Sequence, residues 1–128
     1  QGSTVMTSEA ACVAVIDDDE SLRNAISSLL RSVGMRVSTF ATADLFLNRA
    51  VLGDTDLIIT DIHMPGMSGI ELKDRLDDLD CQVPVIMITA KTEQNLLDRA
   101  EASGAYSVFR KPFDTDDLLN TIEQALAD

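Results

Sequence analysis

The sequence predicts a doubly wound α/β domain, in which helices cover both faces of a five-stranded parallel sheet. Short runs of apolar residues alternate along the chain with segments whose apolar residues recur at helical spacing. The first run, residues 12–16, is almost wholly apolar, which is typical of a strand buried on both faces. Strands that alternate with helices favour parallel pairing through right-handed crossovers.

Five runs are predicted to form strands. The first and third are almost entirely apolar, the second alternates, and the fourth carries a proline near its beginning, where a strand tolerates one. The predicted strands are residues 12–16, 36–40, 57–60, 83–89 and 106–110. We find no repeat, low-complexity tract or linker between them, which indicates one domain.

Capping and stop residues mark the first three helices. Gly34 ends the first, whose apolar positions begin at Leu22. Thr42 is expected to cap a second helix that runs to about Leu52. Ser68 opens the third with a capping-box pattern, since a glutamate follows three residues later.

The last two helices are marked in the same way. Thr92 is predicted to cap the fourth, which Gly104 ends. Thr115 or Asp114 is predicted to cap the fifth, which carries apolar residues at helical spacing to the end of the chain.

Acidic residues dominate the composition. There are 22 acidic and 10 basic residues among 128, a net charge of −12, and only three of the basic residues are lysines. Such a chain has no general attraction for nucleic-acid phosphates or anionic membranes, so we expect no direct binding of nucleic acid. No stretch approaches the roughly 20 apolar residues that span a bilayer.

Two isolated cysteines and the amino terminus bear on the compartment. Cys12 and Cys81 lack the spacing of a metal site and are expected to be small buried hydrophobic residues in a reducing, cytoplasmic compartment. No secretory signal is visible, and residues 1–10 are interpreted as a tag or disordered terminus. The domain is therefore assigned to residues 11–128.

Polar residues gather where the predicted strands end. The first strand is followed by Asp17 and Asp18, the third by Asp61, the fourth ends in Thr89, and Lys111 follows the fifth. Ligands of such sheets bind beyond the carboxyl ends of the strands, so these side chains are expected to share one edge.

Helix capping explains Asp19 and Glu20, but it does not explain why Asp17 and Asp18 would face Asp61. Two carboxylates ~4 Å apart repel by about 4 kcal/mol at an effective dielectric constant near 20. Three of them therefore predict a cation, and an all-oxygen ligand set at a partly open site suits Mg²⁺. The charges balance, because three carboxylates are offset by Mg²⁺ and the Lys111 ammonium.

Four motifs in this order resemble the receiver domain of bacterial response regulators, over essentially the whole chain from Cys12. The run Asp-x-x-Met-Pro-x-Met-Ser-Gly that begins at Asp61 is the most specific of them. The resemblance implies a flavodoxin-like fold with strand order 2-1-3-4-5. The motifs are residues 15–20, 60–72, 88–90 and 111–113.

The same resemblance implies a metal site. Asp18 and Asp61 would bind Mg²⁺ directly, Asp17 would act through water, and the backbone carbonyl of His63 would be the third protein ligand.

It also implies a phosphorylation site. Asp61 would accept a phosphoryl group from a phosphohistidine, Thr89 would hydrogen-bond that group, and Lys111 would pair with it. Ala90 would leave room beside Thr89, and the peptide bond between Lys111 and Pro112 is expected to be cis.

The implied function is a signalling switch that catalyses only its own phosphorylation and dephosphorylation. The expected partner is a sensor histidine kinase or phosphotransfer protein, and the resemblance allows a phosphorylation-linked homodimer. Whether an output domain follows is open. Two rivals remain: a small aspartate-nucleophile phosphatase, against which His63 stands where a second aspartate is typical, and a degenerate interaction module.

Three residues carry their own alternatives. His63 is more simply an exposed loop residue than a general base, while the resemblance suggests that His63 and Lys91 tune the lifetime of the acyl phosphate. Val108 occupies the position where the family commonly has an aromatic switch residue. Either Tyr106 substitutes or the aromatic switch is absent, and an ordinary packed or interfacial role for Tyr106 is favoured.

Overall fold

The computed structural model describes residues 10–49 and 52–127, and its fold is the predicted doubly wound α/β fold. The strands are β1 (Cys12–Ile16), β2 (Arg36–Phe40), β3 (Leu57–Asp61), β4 (Val85–Thr89) and β5 (Ser107–Arg110). All pairings are parallel, and the order β2-β1-β3-β4-β5 confirms the predicted 2-1-3-4-5. Of the predicted tag at residues 1–10, only Ala10 lies within the described residues.

Five α-helices connect or follow the strands within the described ranges. They are α1 (Glu20–Ser32), α2 (Ala43–Arg49), α3 (Gly69–Asp78), α4 (Gln94–Ala102) and α5 (Thr115–Ala127). In that part of the chain no helix has both the length and the apolar character that crossing a membrane requires.

Alternate side chains of each central strand enter two different cores. On β1, Val13 and Val15 join the core that contains Ile26 of α1 and Ile122 of α5. Ala14 and Ile16 point the other way, into the core formed with α2, α3 and α4. Because both faces are covered, β1, β3 and β4 form a rigid platform whose carboxyl ends lie side by side.

Local capping fixes where several helices begin, as predicted. The Asp19 carboxylate accepts a hydrogen bond from the Leu22 amide at 3.2 Å, and Ser68 forms a complete capping box with Glu71. At α5, Asp114 is the cap, because its carboxylate accepts from the Asp116 amide at 2.7 Å. These interactions span two or three residues, so the sequence alone can reveal them.

The predicted beginning of α4 and end of α2 were wrong. Glu93, not Thr92, precedes α4, and its carbonyl accepts the first helical hydrogen bond from the Leu97 amide at 3.2 Å. α2 does not extend to Leu52, which begins a short 3₁₀ helix, Leu52–Asp54. There the Thr55 amide donates to the Leu52 carbonyl three residues earlier, at 3.2 Å, which is 3₁₀ geometry.

Two strands are shorter than predicted. β4 begins after Pro84, which has no amide hydrogen to donate, although its carbonyl still accepts from the Ile58 amide at 3.0 Å. β5 begins at Ser107, while Tyr106 precedes it with 38% of its surface exposed. The two cysteines are free thiols as expected, but both are half-buried rather than buried.

Gly69 lets the start of α3 lie directly against the end of β3. A Cβ at this position would sit 2.5 Å from the Asp61 carbonyl oxygen, a backbone atom that cannot move without shifting the strand. The Gly69 amide also donates to the Ile62 carbonyl at 2.9 Å. The missing side chain therefore sets how closely α3 approaches the Asp61 backbone.

We predict that Gly69→Ala lowers the free energy of unfolding by about 1–3 kcal/mol, the usual cost of forcing an extra carbon into a packed site. Urea denaturation measures the change. Gly53→Ala is the matched control, since a Cβ there meets nothing within 4 Å, and we expect it to change stability by less than about 0.5 kcal/mol. Equal effects of the two substitutions would contradict the steric explanation.

Candidate functional site

Three carboxylates and one ammonium meet at the carboxyl edge of the sheet. Asp17 and Asp18 follow β1, Asp61 is the last residue of β3, and Lys111 follows β5. One oxygen from each of the three aspartates lies within 4.8 Å of the other two. The structure therefore brings together the residues that the strand ends predicted.

Burial distinguishes the three aspartates. Asp17 and Asp61 are 2% and 6% exposed, whereas Asp18 is exposed. Asp17 and Asp61 therefore lie at the base of the cluster, and Asp18 lies on its open side. A ligand from solution would meet Asp18 and the exposed edges of the other two carboxylates.

Lys111 supplies the positive charge of the cluster. Its Nζ lies 3.3 Å from Oδ2 of Asp17 and 3.5 Å from Oδ2 of Asp61, so it bridges the two buried carboxylates. Its backbone amide donates to the Thr89 carbonyl at 2.8 Å, which ties the residue to the end of β4. The Lys111–Pro112 peptide bond is cis, as predicted.

One lysine does not compensate for the burial of these carboxylates. Burial raises the pKa of Asp17 above its ordinary value of 3.8, although the Asp19 amide and Lys111 act in the opposite direction. Burial also raises the pKa of Asp61, and the negative charge of Asp17 raises it further against the effects of Lys111 and the His63 amide. The cluster thus retains an excess of negative charge that is poorly solvated.

The donor set fits a hard divalent cation. Every side-chain donor is a carboxylate oxygen, two of them are buried with raised pKa values, and the third is open to solution. A cation would stabilise the ionised carboxylates, which burial and, to a lesser extent, mutual repulsion disfavour. An oxygen-only set with an open side matches the preference of Mg²⁺, which keeps several water ligands.

Thr89 ends β4, one residue after the partner of Asp61 in the sheet, and is fully buried. Its hydroxyl accepts a hydrogen bond from the Lys91 amide at 2.9 Å, and its carbonyl accepts from the Lys111 amide. Because a hydroxyl can donate as well as accept, the Thr89 proton is available to a further acceptor. Thr89 therefore connects the β4–α4 turn to the residue that carries the positive charge.

The remaining residues singled out in the sequence lie around the cluster. The His63 side chain is exposed, as an ordinary loop residue would be, and Lys91 is exposed as well, so any further role of either residue stays a prediction. Val108 is half-buried and packs against the core on the α2, α3 and α4 side. Tyr106 lies just before β5, and both alternatives for it, together with the favoured packed or interfacial role, stay predictions.

Two features of the site have no clear signal in the sequence pattern. Arg23 donates from its Nη1 to the Asp17 carbonyl at 2.6 Å, and only its place six residues after Asp17 hints at this contact. An apolar groove of about 650 Å³ runs beside the cluster, between α1 and the turn after β5. Its lining includes Leu22, Leu29 and Phe113, and Lys111 borders it.

Known proteins match both the sequence and the fold. The family model of the response regulator receiver domain matches residues 13–123. Response regulator protein TmoT of Ectopseudomonas mendocina is 36% identical over 125 residues, which cover 98% of this chain and 57% of that protein. This chain therefore spans little more than half the length of that curated relative.

Two solved structures share the fold and part of the sequence. Response regulator StyR matches with a TM-score of 0.85 at 39% identity, over 92% of this chain and 60% of that one. The structure of FixJ-N matches with a TM-score of 0.81 at 32% identity, over 91% of this chain and 94% of that one. With the family model covering most of its length, the chain belongs to the receiver domains of two-component response regulators, which act as signalling switches.

Proposed function

We propose that Asp61 accepts a phosphoryl group from the phosphohistidine of a sensor histidine kinase or phosphotransfer protein, and that the domain changes conformation in response. The observation that carries this proposal is the position of Asp61. Its carboxylate ends a rigid strand, lies 3.5 Å from the Lys111 ammonium and shares an all-oxygen cluster with Asp17 and Asp18. An aspartate so placed is a competent nucleophile toward phosphorus.

The transfer balances without a further reactant. An oxygen of Asp61 forms a bond to phosphorus, the bond between phosphorus and the donor's imidazole nitrogen breaks, and that nitrogen keeps the electron pair. The product is an acyl phosphate on Asp61. Lys111 is placed to pair with the oxygens of the transferred group, because it already contacts Asp61 and Asp17 through Oδ2 of each.

Asp17, Asp18 and Asp61, with the backbone carbonyl of His63, are the residues that we propose hold Mg²⁺, Asp17 acting through water. When bound there, Mg²⁺ supplies positive charge to the oxygens of the phosphoryl group during its transfer. Three carboxylates then carry −3 against +3 from the cation and Lys111. A phosphoryl group changes the charge at Asp61 from −1 to about −2, so the site becomes negative by about one charge.

Thr89 is the proposed reporter of that new charge. Its hydroxyl keeps a proton to donate while it accepts from the Lys91 amide, so it can reach toward the phosphoryl oxygens. Any movement of Thr89 is passed to the β4–α4 turn through the Lys91 bond. A local change of charge that shifts a loop in this way is a known means of biasing a two-state element.

The donor protein must bring its phosphohistidine to the open edge of the cluster. The apolar groove between α1 and the turn after β5 borders Lys111 and Asp19. It offers an apolar surface next to the reacting carboxylate, of the kind that receives an amphipathic helix. We place the partner there.

We further propose that the phosphorylated domain acts on an output segment or a partner, or forms a homodimer, with no nucleic acid bound by the domain itself. The acidic composition supports the last point. We place the domain in the cytoplasm, since Cys12 and Cys81 are both free thiols, as a reducing compartment favours.

Acetyl phosphate with Mg²⁺ is expected to add one phosphoryl group, measured as intact mass. The adduct should require Mg²⁺ and disappear in Asp61→Asn, because the nucleophilic oxygen is lost. Asp78→Asn is the matched control, an exposed aspartate of α3 whose loss removes the same charge. Absence of an adduct on the unsubstituted chain would favour an interaction module, and sustained release of phosphate from monoesters would favour a phosphatase.

Asp61→Asn is also expected to stabilise the protein in the absence of Mg²⁺, by about 1 kcal/mol near neutral pH, because it removes a poorly solvated charge. The folded-state pKa of Asp61 is raised, so its ionisation costs the folded state stability above that pKa. The cost should vanish as pH falls toward the unfolded-state value of 3.8. Urea denaturation of both proteins from about pH 7 to about pH 4 tests the convergence.

Addition of Mg²⁺ should reverse the order, stabilising the unsubstituted chain more than Asp61→Asn by mass action. An Asp61→Asn protein that is the less stable of the two at every pH in metal-free buffer would contradict the electrostatic account.

His63→Ala and Lys91→Ala are expected to change the rate at which phosphate leaves Asp61 while leaving adduct formation intact. Both side chains are exposed, so they can affect the access of water to the acyl phosphate without building the cluster. The decay of the intact-mass adduct after removal of acetyl phosphate measures the rate. Unchanged decay in both variants would show that neither side chain sets the lifetime of the acyl phosphate.

A further inference from the structure

Asp17 is held at every polar atom. Its amide donates to the Phe40 carbonyl at 3.1 Å, and its Oδ1 accepts from the Asp19 amide at 2.9 Å. Its Oδ2 lies 3.3 Å from Lys111 Nζ, and its carbonyl accepts from Arg23 Nη1 at 2.6 Å. The contact from Arg23 differs from the other three, because a side chain of α1 binds the backbone of Asp17.

Asp18 is held quite differently. It is exposed, and no hydrogen bond from the described residues reaches its carboxylate. Its position therefore depends on the backbone that carries it. The carbonyl that Arg23 binds belongs to the peptide that joins Asp17 to Asp18, so this contact fixes the plane of the peptide from which Asp18 projects.

We propose that Arg23 is a positioning residue for the cation site, holding the Asp17–Asp18 peptide so that both carboxylates are presented together with Asp61. This inference rests on the proposed binding of Mg²⁺. Arg23 is half-buried in the first part of α1, whose start is fixed by the Asp19 cap, so its guanidinium is anchored to a rigid element. Residues that orient metal ligands commonly contribute ten- to hundredfold to metal affinity.

The sign of the effect separates positioning from simple charge. A guanidinium near a cation site repels the cation, so removal of Arg23 would tighten Mg²⁺ binding if charge were its only influence. Loss of positioning has the opposite effect, because the Asp17–Asp18 peptide would be free to rotate away. A purely structural role would change stability and leave the affinity for Mg²⁺ unchanged.

The chain offers a closely matched control on the same helix. Arg31, like Arg23, donates from its guanidinium to a backbone carbonyl six residues away. Its acceptor is the carbonyl of Val37, which lies later in the chain, at 3.2 Å. Arg31 lies in the last turn of α1, at the opposite end from Arg23. Arg31→Met therefore removes one charge and one bond of the same kind without touching the Asp17–Asp18 peptide.

Calorimetric titration with MgCl₂ tests the proposal on the full chain and its variants, with circular dichroism to verify folding. We expect Arg23→Met to bind Mg²⁺ about tenfold more weakly. We expect Arg23→Lys to recover most of the affinity, since an ammonium can make the single bond to the carbonyl. Arg31→Met should match the unsubstituted chain. If Arg23→Met does not fold, Arg23→Gln takes its place.

Binding by Arg23→Met at least as tight as that of the unsubstituted chain would overturn the proposal, as would an equal loss in Arg31→Met. A titration in which the unsubstituted chain binds no Mg²⁺ at millimolar concentration would instead overturn the proposed metal site, and this inference with it. Whether the unsubstituted chain binds Mg²⁺ therefore distinguishes failure of the metal site from failure of the role proposed for Arg23.

Discussion

Negative charge crowded at the carboxyl ends of β1 and β3 is the constraint on which the rest of the structure depends. Parallel neighbours end at the same edge, so Asp17 and Asp61 cannot avoid each other once β1 and β3 pair. Two such charges ~4 Å apart repel by about 4 kcal/mol at an effective dielectric constant near 20. Lys111 offsets part of that repulsion, and the Asp19 amide and Arg23 hold Asp17 in place.

The fold meets this constraint by rigidity. Both faces of the central strands are packed, so the strand ends cannot move apart to relieve the repulsion. Gly69 allows α3 to close against the Asp61 backbone, and the turn after β1 is fixed by hydrogen bonds at each polar atom of Asp17. The carboxylates are thus held close together at a cost, and a cation bound among them, as proposed above, would reduce that cost.

The sequence predicted what depends on composition and short-range contacts. β1 and β3 are apolar runs, and the caps Asp19 and Ser68 act within three residues, so both kinds of feature are visible in the pattern. The strand order came from the family resemblance, since periodicity alone does not decide which strands are neighbours. The proposed roles of Asp61, Thr89 and Lys111 rest on the same resemblance together with their observed positions.

What the sequence could not predict depends on contacts between segments. Thr92 has the right residue type for a helix cap, yet the turn after β4 is ordered by the Thr89 hydroxyl and the helix starts after Glu93. The Arg23 contact joins α1 to the turn after β1, and Gly69 brings α3 against the Asp61 backbone; neither has a clear signal in the sequence pattern.

The site is also assembled from distant parts of the chain. Asp17 and Lys111 are 94 residues apart in sequence and 3.3 Å apart in space. During synthesis the three aspartates leave the ribosome well before Lys111, which follows the last strand. A partly synthesised chain therefore has the carboxylates without the ammonium that completes the cluster. The proposed site is therefore complete only after β5 has joined the sheet and brought Lys111 to the two buried carboxylates.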